Sequence, residues 1–396
     1  MVTAAILTPP GRGAVASIAV WGASAATTLD ELFSPVAGGR LLDAAPGRIR
    51  FGQWRGSQWH GSGEDVVVCR TAANEIEIHC HGGQAAAQSI MAALIERGCR
   101  QAPWSAWLAR HAPRPVAAEA LEALTGASTL ACAAILLDQF HGALEGELKA
   151  CVGLMESSRE RDWHEAHDRL ARLAGRYLLG KHLTRPFEIV IAGKPNVGKS
   201  SLLNVLAGYE RAIVFNQPGT TRDVLTLHTA IGGWPVMVID TAGLRSGGDH
   251  LETSGMRLAI DRMNAADLLL LVFDAQQRWQ TDDDELASRW PEAIVVHNKC
   301  DLGAPPGNAR PGLAISALRG QGIDALLDCI AARLVPEPPP SGAPVPFSAR
   351  QIEAITAAHH LCGRGDRRAA ARRLRDLMLY DSAREAAALP AIRLAT

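Results

Sequence analysis

Apolar and polar positions follow two rhythms along this chain, and the changes of rhythm divide it. Ala4-Ala5-Ile6-Leu7 and Ala14 to Trp21 are short apolar runs. Asp65-Val66-Val67-Val68-Cys69 and Glu75-Ile76-Glu77-Ile78-His79 read as paired strands, and Gln84 to Gly98 as a helix. Thr8 to Gly13 is rich in turn formers, and Trp104 and Trp107 at i, i+3 read as core. Residues 1–108 are thus predicted to form an α+β unit. From 109 to 183 the spacing turns helical, over Ala117–Leu124, Thr129–Met155 and Trp163–Leu179, with Gly126 between the first two. These helices are predicted to pack as an antiparallel bundle.

Over 184–335 apolar runs such as Phe187–Ala192, Val236–Ile239 and Ala293–His297 alternate with helical stretches. That alternation predicts a mostly parallel α/β sheet. Residues 336–347, holding Pro336, Pro338, Pro339, Pro340, Pro344 and Pro346, read as a stiff linker. Residues 348–396 follow, with two or three helices up to 388. One of them carries Arg364, Arg367, Arg368, Arg372, Arg373 and Arg375. That basic helix is read as a solvated face in preference to an RNA contact.

The transition after Ala192 holds the first candidate chemistry. Gly193-Lys194-Pro195-Asn196-Val197-Gly198-Lys199-Ser200-Ser201 lies between a strand and Leu202–Ala207, a short helix expected to close at Gly208. Strand, glycine loop and helix make a phosphate cradle of backbone N–H groups. Lys199 is placed to reach the β- and γ-phosphates, and the Ser200 hydroxyl to ligate Mg²⁺. Asn298-Lys299-Cys300-Asp301 follows a buried strand. The Asp301 carboxylate can accept from the ring N–H and the amine of guanine; adenine has no such donors. Asn298 and the stem of Lys299 are expected to hold and cover the base, and Ser316-Ala317-Leu318 to offer N–H groups to its oxygen.

Asp240-Thr241-Ala242-Gly243 ends another strand, with Asp240 toward Mg²⁺ and the Gly243 N–H toward the γ-phosphate. Thr221, in Gly219-Thr220-Thr221-Arg222-Asp223, can add its hydroxyl to Mg²⁺ while the γ-phosphate is present, which makes that loop a switch. Leu244 stands where many GTPases carry a water-orienting glutamine. Glu252 could orient that water, or be only N-terminal helix charge, and spacing alone favours the second. Asn196 is either a loop-shaping residue or a ligand for a monovalent cation.

Composition adds exclusions. The 396 residues are 47% hydrophobic, enough for two or three cored domains, and 40 basic against 41 acidic residues give no global pull toward nucleic acid or membrane. Eight cysteines without CxxC spacing argue for reduced thiols, and the absence of a leader or an apolar span predicts a cytoplasmic protein. His79-Cys80-His81 is read as ordinary histidines rather than a metal site.

Together these motifs resemble the potassium-dependent TrmE/MnmE tRNA-modification GTPases. The resemblance is carried by GKPNVGKSSLLN, PGTTRD, DTAGLR, NKCD and ISAL, by TPPGRGAVASIAVWG and EIHCHGG near the start, and by PFSARQIEAI near the end. It implies a Ras-like P-loop G domain (184–335) inserted in a helical domain (109–183 and 348–396), after an α+β N-terminal domain. It places K⁺ at Asn196, with Thr220 and the carbonyls of Phe215 and Gln217, inside a nucleotide-enclosing loop that also holds Asn216, Pro218, Gly219 and Thr221. It places Mg²⁺ at Ser200 and Thr221, and gives Glu252 the water-orienting role. It also implies formyl-tetrahydrofolate binding involving Glu77, where the family's binding arginine aligns with Ala19. G domains that pair on GTP, a homodimer, an FAD-binding partner called MnmG and a modified wobble uridine in tRNA complete what it implies. The family's C-terminal tail with Cys and Lys is not matched by Ala395-Thr396, which implies a shortened end. The alternatives are a GTPase switch in another process, such as ribosome assembly, and a nucleotide-gated interaction protein.

Overall fold

The computed structural model describes residues 1–11, 13–56, 63–112, 114–209, 226–240 and 252–379. The described chain divides into two compact units, Met1–Ala118 and Glu119–Leu379.

In the first unit, β1 (Thr3–Ile6), β2 (Val15–Trp21), β3 (Phe33–Pro35), β4 (Ile49–Trp54), β5 (Glu64–Ala72), β6 (Glu75–His81) and β7 (Arg100–Gln101) form one sheet in the order β3-β4-β5-β6-β2-β1-β7. Only β1 and β7 pair in parallel. The expected β5–β6 pair is antiparallel, with Val68 opposite Ile78. Helices α1 (Ala25–Asp30) and α2 (Gln84–Glu96) contribute to the core beneath one face, around Ile18, Ile76, Ile78 and Trp54. On the other face Ala5, Ala19 and Trp21 pack with Trp107 of α3 (Trp104–His111), a helix with no fully buried residue. His79 meets the Ser17 hydroxyl at 2.9 Å, and His81 meets Glu64 at 2.6 Å. Burial first, then the Glu64 charge, pushes the Cys80 thiol up to about 11. Each of the three residues has its own structural account, and no metal-competent cluster occurs among the described residues.

The second unit begins within α4 (Pro115–Leu124). The single helix expected over Thr129–Met155 is two, α5 (Leu130–Phe140) and α6 (Ala143–Glu156). The break falls at Gly142, whose φ of 106° ends one helix and starts the next. Helix α7 (Glu160–Gly180) follows. After the sheet, α12 (Ala349–Gly363) and α13 (Arg367–Met378) return, so that α6, α7, α12 and α13 pack in a ring of neighbours.

Between them lie β8 (Phe187–Ala192), α8 (Lys199–Tyr209), β9 (Thr226–Ile231), β10 (Trp234–Asp240), α9 (Glu252–Ala265), β11 (Leu268–Asp274), α10 (Thr281–Arg289), β12 (Ile294–Asn298), β13 (Leu313–Ala314) and α11 (Ile323–Leu334). The strand order is β13-β12-β11-β8-β10-β9, parallel except for the β9 edge. Helix α8 runs through Gly208 instead of closing there.

The proline-rich segment is not a free spacer. The side-chain amide of buried Gln139 donates to Ala343 O (3.1 Å) and accepts from Val345 N (3.1 Å), and Arg176 donates to Pro344 O (3.0 Å). Gly180 lets the segment approach, since a Cβ there would stand 1.7 Å from Pro346 O. Alanine normally gains up to about 1 kcal/mol over glycine inside a helix, but a backbone oxygen at that distance must be displaced. Gly180→Ala is therefore expected to destabilise the protein by about 1–3 kcal/mol. A lowered Tm is the predicted result; a raised Tm counts against the fit.

No helix of the described chain is long and apolar enough to cross a membrane.

Candidate nucleotide-binding and catalytic site

Because β10, β8, β11, β12 and β13 run parallel, their carboxyl ends share one edge of the sheet, where ligands bind in open α/β folds. Five loops or strand ends meet there. The glycine loop leaves β8, Asp240 ends β10, Asp274 ends β11, Asn298 ends β12, and Ser316–Leu318 follows β13.

The glycine loop's conformation follows from its sequence. Gly193 has φ 150° and lies so close to β11 that a Cβ would stand 2.2 Å from Val272 O. Gly198 has φ 94°, and a Cβ there would stand 2.2 Å from Asn298 Nδ2. Asn196 takes φ 65°, which asparagine tolerates better than most residues. Val197 is buried and anchors the loop, while Asn196 and Ser200 face out. Lys199 opens α8 and is 7% exposed, and its Nζ donates to Gly193 O (3.1 Å) and Lys194 O (2.9 Å). A cation so shielded from water acts strongly on a nearby anion. Ser201, in the first turn of α8, is exposed.

Ser200 Oγ donates to Asp240 Oδ2 at 2.9 Å, and Asp240 is fully buried. Two oxygen donors at the head of a phosphate loop suit a hard cation, so the residues fit Mg²⁺. Thr241, Ala242, Gly243, Leu244 and the loop holding Phe215, Asn216, Gln217, Pro218, Gly219, Thr220 and Thr221 lie outside the described residues. Glu252 is placed only as the first residue of α9.

Asn298 is the junction of the site. It is 2% exposed, its Nδ2 donates to Val197 O (2.9 Å), and its Oδ1 accepts from Ala317 N (3.0 Å). The asparagine expected at the base is thus tied into protein at both ends, and it locks the phosphate loop to the loop after β13. The Ala317 N–H, expected near the guanine oxygen, is engaged by Asn298. Lys299 sits at φ 69°; its Nζ donates to Asn196 O (2.9 Å) and pairs with Asp274 Oδ2 (2.7 Å). Asp301 is half-buried in the turn Cys300–Leu302, which is held by Cys300 N donating to Ile315 O (3.0 Å). Ser316 is fully buried, and its Oγ accepts from Arg319 N (3.1 Å); the Leu318 side chain is exposed.

Sequence reasoning missed Asp274. The signal was there: an aspartate closing the apolar strand Leu268–Phe273 next to the strand carrying Asn298.

A phosphate loop, a cation-binding serine–aspartate pair and a guanine-directed NKCD segment on one sheet edge define a P-loop GTPase, which binds GTP and GDP and works with Mg²⁺ as such enzymes do. Residues 188–299 match the model of the 50S ribosome-binding GTPase family, and residues 2–104 that of the GTP-binding protein TrmE N-terminus. The tRNA modification GTPase MnmE of Moorella thermoacetica is 32% identical over 82% of this chain and 79% of that one. That of Chloroflexus aurantiacus is 34% identical over 84% and 81%, and that of Paramagnetospirillum magneticum 37% identical over 67% and 65%. The chain belongs to the MnmE family of tRNA modification GTPases.

Proposed function

We propose that this chain hydrolyses GTP in a potassium-stimulated reaction coupled to modification of the wobble uridine of tRNA, with an FAD-binding partner. The observation that carries the GTP half is the Asn298 junction, which ties the phosphate loop to the loop after β13, directly before the turn that carries Asp301. The tRNA half rests on family membership across both matched segments.

In this reading the backbone N–H groups of 196–201 and the Lys199 ammonium hold the β- and γ-phosphates. Asp301 reads guanine, Lys299 covers the base, and Asn298 and Ser316–Leu318 fix that pocket. Ser200, Thr221 and Asp240 hold Mg²⁺, which when bound neutralises charge on the β- and γ-oxygens. Glu252, at the α9 N-terminus, orients the water that attacks the γ-phosphorus as the bond to the leaving GDP oxygen breaks. The Asn196 side chain has no partner among the described residues, which suits a K⁺ ligand, with Thr220 and the carbonyls of Phe215 and Gln217 completing the set. K⁺ in this place would add positive charge beside the β- and γ-phosphates. The strands over 187–314 and the returning helices α12 and α13 support an inserted G domain within the five-part division read from the sequence. A homodimer and a cytoplasmic location belong to the same reading.

Folate does not fit as well. Ala19, where the family's arginine aligns, is buried against Ala5 and Trp21, and Glu77 lies 3.6 Å from His79.

GTPase rate is expected to fall by tenfold or more when K⁺ is replaced by Na⁺, and Asn196→Ala is expected to remove the difference. Equal rates in both salts contradict the cation assignment. The wobble-uridine profile of tRNA from cells lacking this protein tests the process, and an unchanged profile favours a switch in another pathway.

A further inference from the structure

We infer that α13, with the turn after α6, is a binding surface for the phosphate backbone of RNA, resting on the tRNA reading above. Residues 364–376 hold six arginines and two acids, Asp366 and Asp376, in a chain whose 40 basic and 41 acidic residues nearly cancel. The helix is strictly two-faced. Ala370, Ala371, Leu374 and Leu377 are buried, while Arg368, Arg372, Arg373, Arg375 and Asp376 are exposed, as is Arg364 in the turn before the helix. Packing therefore needs one stripe of this helix and leaves the arginines unexplained.

Their surroundings are ordered for an anion. A groove of about 820 Å³ lies between α13 and the turn after α6; Arg367, Arg368, Arg372 and Arg375 line it, together with the two carboxylates Glu156 and Asp366. The Arg367 guanidinium is 3.4 Å from the centre of the Trp163 ring and donates to Ser157 O at 3.1 Å, which fixes it at the groove wall. Asp366 is engaged as the helix cap, accepting from Ala369 N at 3.1 Å. Arg375 pairs with Glu156. Arg364, Arg368, Arg372 and Arg373 have no acidic partner among the described residues.

Arg368, Arg372 and Arg375 stand at i, i+4 and i+7, so they share a stripe, and the first two are separated by about 6 Å along the axis. Two unpaired guanidinium groups one turn apart, Arg368 and Arg372, continued along the stripe by Arg375 on its Glu156 partner, suit successive phosphates of a polyanion, each accepting two N–H bonds. An acidic protein would offer carboxylates without that regularity, so the row fits RNA better. Phosphate contacts of this kind position the RNA and carry no sequence information.

The test uses the full-length protein and an unmodified tRNA transcript, with affinity measured by fluorescence anisotropy over a range of salt. Arg368→Gln/Arg372→Gln is expected to weaken tRNA binding about tenfold or more and to lower the slope of log affinity against log salt by about 2. Thermal stability and GTPase rate without tRNA should not change, since neither residue is buried or near the nucleotide edge. Arg368→Lys/Arg372→Lys should restore the slope and much of the affinity. Unchanged affinity and slope in the glutamine variant overturn the surface, even where cells lacking the protein show an altered wobble-uridine profile. An unaltered profile instead overturns the tRNA reading. Poly-glutamate competing as well as tRNA at equal charge assigns the groove to an acidic protein and overturns the RNA assignment.

Discussion

Asp301→Asn should cost the protein its preference for guanine, reducing GTP affinity by roughly 10²–10⁴. The carboxylate can accept from both guanine donors, whereas an amide can accept from only one and turns its own N–H₂ toward the other. Xanthine carries an oxygen where guanine carries its amine, so the asparagine amide can donate to it. Xanthosine triphosphate is therefore expected to bind the variant better than GTP does, and to be hydrolysed. The turn Cys300–Leu302 is held by the Cys300–Ile315 bond and by Lys299, none of which the substitution touches. Calorimetric titration with both nucleotides decides the matter. A variant that loses both equally would mean that Asp301 shapes the turn rather than reading the base.

Asn298→Ala is expected to have an effect of similar size by a different route. The side chain is 2% exposed, and its removal leaves Val197 O and Ala317 N without partners in a buried place. Each such group costs about 1–3 kcal/mol. The loss should appear both as a lower Tm and as a drop in GTP affinity of about 10² or more, because the two loops it ties lose their mutual position. Xanthosine triphosphate should not rescue it, which separates this variant from Asp301→Asn. Asn298→Asp should be nearly as damaging, since it sets an acceptor against Val197 O. Retention of full stability and affinity in Asn298→Ala would show that the frame is held elsewhere.

The two substitutions differ in how their roles could be known. Asp301 is legible from the tetrapeptide and the strand before it. That Asn298 binds protein rather than base is not, because its partners lie 101 and 19 residues away. Asp274 was missed for the same reason. An aspartate closing an apolar strand is ambiguous until β11 is placed beside β12, which brings it within 2.7 Å of Lys299.

The elements show the same division. Period and apolar content placed β8, β10 and β12, while short strands such as β3 and β7, of three and two residues, gave no pattern long enough to read. The composition of the proline-rich segment suggested a spacer. Gln139 and Gly180, both far upstream, make it a strap.

What the sequence determined alone is the chemistry: a glycine loop with its lysine and serine, and an aspartate matched to guanine, are encoded in contiguous residues because backbone conformation and donor pattern are local properties. What the tertiary structure decided is which groups remain available for that chemistry. Burial and hydrogen-bond partners are set by chain segments distant in sequence, so only packing could turn Asn298 into a tie, give Asp274 to Lys299 and leave the arginines of α13 facing outward.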